Sequence, residues 1–482
     1  GSDRLRAESP GARGPMNLSK SAFPPAPEAL RSRNPLRHLK FYGPGAIIAS
    51  VTIGSGETVF ASRGGAIFGY SLLWCFLLGA VLKAVQVYSS MRIMTLTGNH
   101  PVAYWERMRG PRAWFPLLML VVSLSIVPSV FSALPKFLAS LLASLYEVSF
   151  LRYEQNVDLL ASVILLGCAL LALGISYRIL EWSQTAISLL FLTFIVAAFV
   201  AFRPDVAEML RGAFVVSIPH YPPWLRENYP AIAARPPWVE VMTYVGIVGG
   251  NSTDYIAYLS FLREKGWGLA GGKPSETAYA SSEDAAEAKL WLRAPRLDAV
   301  LSFGLVALFS VVFLVLGTVI LSPARLIPDG AELLTVQARF LTELHPSLFP
   351  LYVLGILMVF FGTIYGCFEL HTRAVYECGR TVFRRFSATP LEKFRRFVVA
   401  YAVGSGLLLI WMDWDPVALL TPPSLLGGLL ACGLWCFTML WADRRFTPKP
   451  FQMGAGLEAA LWISGILLSA FGVTAIYDYV IS

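Results

Sequence analysis

Along this chain an apolar run recurs about eleven times, each long enough to cross a hydrocarbon core of about 30 Å as a helix of roughly 20 residues. The runs lie at 45–62, 67–95, 114–144, 157–176, 183–202, 238–262, 299–322, 348–374, 397–412, 423–442 and 456–478. In lipid every backbone N–H and C=O must find a partner inside the protein, so runs of this length form helices that pack on one another. Composition agrees: 56% of the residues are hydrophobic, 15% are charged and the mean hydropathy is +0.59. Those values lie outside the range of soluble globular domains. The expectation is an all-α, multi-pass integral membrane protein with no soluble domain large enough to carry separate chemistry.

Basic residues set the orientation, because Lys and Arg are retained on the cytoplasmic side during insertion. Most of the 39 Lys and Arg fall before the first span or in every second loop, which predicts a cytoplasmic N-terminus and, with eleven spans, an outside C-terminus. A bacterial inner membrane is the expected location. The formal charge of +8 then follows from topology and from attraction to anionic lipid, as in "GRTVFRRF" and "LEKFRRF", and not from nucleic-acid binding. Residues 1–40 read as a disordered basic cytoplasmic tail, 41–445 as a ten-helix membrane core with a cytoplasmic loop at 263–297 that ends in a short polar helix, and 446–482 as the last span with a short outside end. The core divides into helices one to five at 45–202 and six to ten at 238–442.

The six cysteines, Cys75, Cys168, Cys367, Cys378, Cys432 and Cys436, lie in or near predicted helices without CxxC spacing and read as small apolar side chains. No metalloprotease, nucleophile-elbow or phosphate-loop motif appears in a suitable context. Neither an enzyme nor a cofactor is expected.

Two spans interrupt themselves at mid-depth. "GPGAIIASVTIGSGETVF", residues 43–60, places Gly54, Ser55, Gly56 and Glu57 where the membrane is driest. "TYVGIVGGNSTDYIAYLSF", residues 243–261, places Gly246, Gly249 and Gly250 ahead of Asn251, Ser252, Thr253 and Asp254. These are the first and sixth spans, each opening a block of five. Broken helices at matching places in two halves mark an inverted-repeat secondary transporter, whose substrate sits between half-helix ends at the midplane. The expected transport unit is a monomer.

Ionisable groups inside the bilayer are candidates for function because burying them is costly. Glu57 opens the outer half of the first span, where the helix dipole favours negative charge. Lys83 lies near mid-depth in the second span at a similar level, and the two are expected to pair. Asp254 follows the second break as a helix cap or a ligand. On the eighth span "CFELHTRAVYE" sets Glu369 with Arg373, and Arg373 with Glu377, at i,i+4 spacing, which reads as a solvated network or an inner gate. His371 falls on another face of that helix and reads as a helix-end histidine.

Taken together, "GPGAIIASVTIGSGE", "GYSLLW", Thr97-Gly98 and "RILE" at 178–181 resemble the natural resistance-associated macrophage protein (NRAMP) family of metal transporters, over roughly residues 41–445. The resemblance implies a LeuT-like fold of 5+5 inverted repeats, broken helices one and six, and alternating access. The family's Asp-Pro-Gly-Asn motif falls here on Gly54, Ser55, Gly56 and Glu57, and its Met-Pro-His on Gly250, Asn251 and Ser252. With no thioether or imidazole at those positions, the soft ligands that help select transition metals are missing. The acidic residues of the family's third helix are also missing, and Lys136 lies there instead.

Three readings stay open. A hard divalent cation such as Mg²⁺ would take oxygen ligands from Glu57, Asn251, Thr253 and backbone carbonyls. A small anion or amino-acid-like solute would use Lys83 and half-helix N–H groups, since "IGSGE" also resembles the Gly-Ser-Gly of amino acid, polyamine and organocation carriers. A non-transporting receptor or scaffold is the third.

Overall fold

The computed structural model describes residues 23–145, 152–174, 196–218, 220–272, 282–412 and 414–481, with isolated positions between 182 and 193. Among these residues the chain is helical and contains no strand. The first span is α1 (Pro44–Thr52), a π-helical segment (Ile53–Ala61) and α2 (Ser62–Phe68), followed by α3 (Leu73–Thr97), α4 (Trp114–Leu145) and α5 (Tyr153–Gly174). After the first half come α6 (Pro237–Ile247), α7 (Ser252–Lys265), α8 (Ser282–Trp291) and α9 (Arg293–Leu316). The chain ends in α10 (Phe349–Val382), α11 (Leu391–Ile410), α12 (Pro416–Pro423), a π-helical segment (Ser424–Leu430), α13 (Ala431–Phe446) and α14 (Ala455–Ile481). Seven stretches among the described residues are long and apolar enough to cross a membrane, the first running from Pro44 to Thr97. The expected fifth span and "RILE" at 178–181 lie largely outside the described residues.

The two interruptions differ in kind. At Gly54–Glu57 the helix does not unwind into extended chain but widens into π-turns, and Thr58 Oγ1 donates to the Ile53 carbonyl at 2.7 Å. π-turns inside α-helices are frequent at functional sites. The sixth span does break: Val248 has ψ 127°, Gly249 and Gly250 take φ of +71° and +93°, and helix resumes only after Asn251. Those left-handed values suit glycine.

Close helix crossings depend on missing side chains. A Cβ on Gly246 would meet the Ser424 carbonyl oxygen at 2.3 Å, and one on Gly428 would meet the Gly246 carbonyl at 1.7 Å. The end of α6 therefore lies backbone to backbone against the Ser424–Leu430 segment, the kind of approach small residues permit in membranes.

The disordered-tail expectation is corrected from Phe23 onward. Phe23, Ala26 and Leu30 are buried, Phe23 N–H donates to Asp284 Oδ1 at 3.1 Å, and Trp291 Nε1 donates to the Pro24 carbonyl at 2.8 Å. Arg31 also pairs with Glu287. Three apolar anchors, invisible within a Pro-rich composition, strap this segment to α8; residues 1–22 lie outside the described residues.

Candidate substrate site

The break between α6 and α7 leaves carbonyls of one half-helix and N–H groups of the other without helical partners. Lys83, fully buried on α3, collects the carbonyls: its Nζ donates to Gly246 at 2.6 Å, Val248 at 2.7 Å and Gly250 at 2.8 Å. Tyr255 Oη donates to the Gly249 carbonyl at 2.9 Å. From the other side Glu57 Oε1, also fully buried, accepts the Gly249 N–H at 3.0 Å. Asn251 and Asp254 form a capping box at the start of α7: the Asn251 side chain accepts the Thr253 N–H at 2.8 Å and Asp254 Oδ2 accepts the Asn251 N–H at 2.8 Å. The unwound segment is thus held by side chains from α3, the first span and α7, as a non-helical stretch at membrane depth requires.

This corrects the expected Glu57–Lys83 pair. Among the described residues no ion pair joins them; each binds the backbone of the same break, the carboxylate its N–H and the ammonium its carbonyls. The reason is capacity. An ammonium has three hydrogens, and three stranded carbonyls take them all.

Beside the break lies a cavity of about 40 Å³, walled by α1, α4, α10, α12 and the Ser424–Leu430 segment. Its polar lining comes from Asn251, Asp254, Cys367, His371 and Ser424, with the backbone of Gly246 and Gly250. Of the expected site residues, Gly250, Asn251 and Asp254 line it; Glu57, Lys83, Ser252 and Thr253 do not. Thr253 Oγ1 instead donates to Ser123 Oγ at 3.0 Å, and Ser252 Oγ is buried without a hydrogen-bond partner among the described residues. Gly54 and Gly56 are packing positions: a Cβ on Gly54 would meet Thr363 Oγ1 at 2.0 Å, and one on Gly56 the Ile247 carbonyl at 3.2 Å. The Ser55 side chain lies outside the described residues.

His371 is the residue that sequence reasoning misplaced. It is 1% exposed and lines the cavity. Its Nδ1 lies 2.8 Å from the Cys367 carbonyl oxygen, which can only accept, so the proton sits on Nδ1. In the neutral ring Nε2 is then a bare acceptor, buried and without a partner among the described residues. Phe131 packs edge-on at 5.6 Å and limits the ring's rotation. The available signal was the i,i+4 pair Cys367 and His371 on the buried face of α10. Among the described residues no group of three or more His, Cys, Asp and Glu is arranged to hold a metal ion.

Ionic networks lie at both ends of the first span. At the α2 end, fully buried Arg63 donates through Nε to Glu240 Oε1 at 2.6 Å and also binds Asp329, while Tyr244 Oη donates to Glu240 Oε1 at 2.7 Å. At the α1 end, Asp298 accepts the Gly43 and Gly45 N–H groups, each at 2.9 Å, and the Tyr258 hydroxyl at 2.7 Å. Nearby, Arg373 pairs with Glu369 at 2.7 Å, as the spacing predicted, and with Glu264 at 3.2 Å; Arg395 reaches Glu369 at 2.9 Å. The expected Arg373–Glu377 pair gives way to Arg263–Glu377 at 2.6 Å, because α7 packs along α10 and presents its own arginine.

Helices wrapped around a broken span, with a small polar cavity at the break and ion pairs at either end of the first span, make the LeuT-like fold of membrane transporters. Solved structures agree on the fold. The Eremococcus coleocola manganese transporter, in complex with an aromatic bis-isothiourea substituted compound, superposes with a TM-score of 0.63 at 16% identity, covering 92% of this chain and 87% of that one. The inward-facing conformation of Mhp1 gives a TM-score of 0.52 at 14% identity over 97% and 94%. None of the curated proteins matches the chain. The model of the natural resistance-associated macrophage protein-like (Nramp) family matches residues 45–478, and the chain belongs to that family.

Proposed function

We propose that the protein is a secondary transporter of a small hard divalent cation, bound at the break between α6 and α7 and released by alternating access. The observation that carries this reading is the cavity itself: about 40 Å³ of space beside a carboxylate, an amide and an imidazole with a bare Nε2. The space is roomy enough for water and is lined by groups that can hold an ion together with its waters. Glu57 and Lys83 cancel in charge to first order, and Asp254 leaves the lining acidic. Asp254 and Asn251 are oxygen ligands of the kind Mg²⁺ accepts while keeping several waters, and His371 Nε2 is suited to accept a hydrogen from such a water.

Relative to the expected ligand set, Asp254 takes the place of Glu57, which does not line the cavity and gives Oε1 to the Gly249 N–H, and of Thr253, whose hydroxyl is engaged by Ser123. The solute reading loses support because all three hydrogens of Lys83 are occupied, leaving none for a substrate carboxylate. A cytoplasmic N-terminus belongs to the same proposal, on the distribution of basic residues, as do a bacterial inner membrane and a monomeric unit, on which that distribution does not bear.

The test is uptake of Mg²⁺ and Mn²⁺ into proteoliposomes containing a trapped metal-responsive dye. Influx that is abolished in Asp254→Asn but retained in Glu57→Gln is expected. No influx of either ion through folded wild-type protein would overturn the proposal.

A further inference from the structure

Away from the central cavity, α4, α10 and α11 enclose a groove of about 450 Å³ that opens beside the turn at 383–390. Its walls are apolar: Leu120 and Leu124 from α4, Phe383 and Phe386 from the turn, Phe394 and Phe397 from α11. Phe383 and Phe397 are exposed at 43% and 54%. The rim is basic. Lys393 lines the groove, and the Arg385 guanidinium stacks on the Phe386 ring at 4.6 Å from its centroid, which places the charge at the mouth. Arg384 and Arg396 flank it. All four of these cations are exposed, and none makes an ion pair among the described residues. The carboxylates of this region, Glu369 and Glu392, are both engaged by Arg395.

We propose that this groove binds one anionic phospholipid, with an acyl chain against Leu120, Leu124, Phe394 and Phe397 and the phosphate between Lys393 and Arg385. Two observations agree on this occupant. An apolar slot at the edge of a bundle suits a hydrocarbon chain, and unneutralised basic side chains at its mouth suit a lipid phosphate, the arrangement by which pockets between membrane helices take charged headgroups. A zwitterionic headgroup offers the same phosphate but brings a compensating cation to the same rim. Because α10 also carries Cys367 and His371 to the central cavity, lipid bound here packs against a helix that lines the transport site.

The experiment is native mass spectrometry of the full chain in neutral detergent, titrated with phosphatidylglycerol, phosphatidylcholine or inorganic phosphate. One retained phosphatidylglycerol is expected, with phosphatidylcholine bound more weakly and inorganic phosphate neither bound nor competing. Each basic side chain near an anionic lipid contributes about fivefold, so the double variant Lys393→Gln, Arg385→Gln is expected to weaken phosphatidylglycerol about thirtyfold. Leu124→Trp, which fills the slot without changing charge, is expected to displace the lipid as well. Thermal melting establishes that the variants fold, both neutralised side chains being at the surface. Equal binding of the two lipids, or wild-type phosphatidylglycerol binding by the double variant, overturns the proposal. Displacement by inorganic phosphate identifies a free-phosphate site, and unchanged binding in Leu124→Trp removes the acyl chain from the groove; either result overturns it too.

Discussion

Replacing Lys83 by Met keeps a similar volume while removing the ammonium that holds the break open. The carbonyls of Gly246 and Val248 then lose their contact, whereas Gly250 keeps the Tyr255 hydroxyl at 3.3 Å. A buried acceptor left unsatisfied costs about 1–3 kcal/mol, so the two carbonyls together cost roughly 2–6 kcal/mol. Glu57→Gln is the informative partner. The amide oxygen still accepts the Gly249 N–H, and Oε2 already lacks a partner among the described residues, so replacing it with nitrogen breaks no contact. The expected order in detergent melting is wild type, then Glu57→Gln slightly lower, then Lys83→Met far lower. If the two residues simply formed a buried ion pair, removing either member would cost about 3–5 kcal/mol and both variants would fall together. Equal destabilisation of Glu57→Gln and Lys83→Met would refute the reasoning, as would full rescue of Lys83→Met by adding Glu57→Gln.

Other consequences follow from the same geometry. Gly250→Ala places a Cβ 2.8 Å from Asp254 Oδ2 and 2.9 Å from Thr52 Cγ2 at φ +93°, and is expected to lower stability by about 1–3 kcal/mol and reduce uptake, read by melting and by transport. Arg63→Met strands Glu240, which is 5% exposed, and is expected to cost about 3–5 kcal/mol in melting; adding Glu240→Gln should recover part of that loss. Asp298→Ala removes the acceptor of the Gly43 and Gly45 N–H groups, a loss of about 0.5–2 kcal/mol, and hydrogen exchange at the start of α1 is expected to speed up.

What was legible in the sequence was whatever the local chain states. Gly249-Gly250 announces the break and Asp254 a cap for the helix that follows, and the structure has left-handed glycines there and a capping box in which Asn251 joins Asp254. Apolar runs marked where the described long helices lie but not their ends: the run at 348–374 belongs to a helix from Phe349 to Val382, and the run at 397–412 to one from Leu391 to Ile410. Partners that come from another helix were not legible. Lys83 is visible as a costly mid-membrane cation, but the backbone carbonyls it binds leave no residue-level signature 163 positions away. Glu377 was assigned Arg373 from spacing along one helix, whereas Arg263 on α7 reaches it instead. His371 was read from its place in the chain as lying near a helix end; α10 extends to Val382 and keeps it buried beside the cavity. In the first span, Gly-Ser-Gly signalled an interruption without revealing that i→i+5 turns would absorb it.

The central claim is that Asp254, at the break, binds a hard divalent cation while Lys83 and Glu57 hold the backbone around it. The most direct measurement is calorimetric binding of Mg²⁺ to the purified protein, for wild type, Asp254→Asn and Glu57→Gln. Saturable one-to-one binding in wild type and Glu57→Gln, lost in Asp254→Asn, is the predicted result. Binding that survives Asp254→Asn but disappears in Glu57→Gln, or no Mg²⁺ binding to folded wild type, would contradict it.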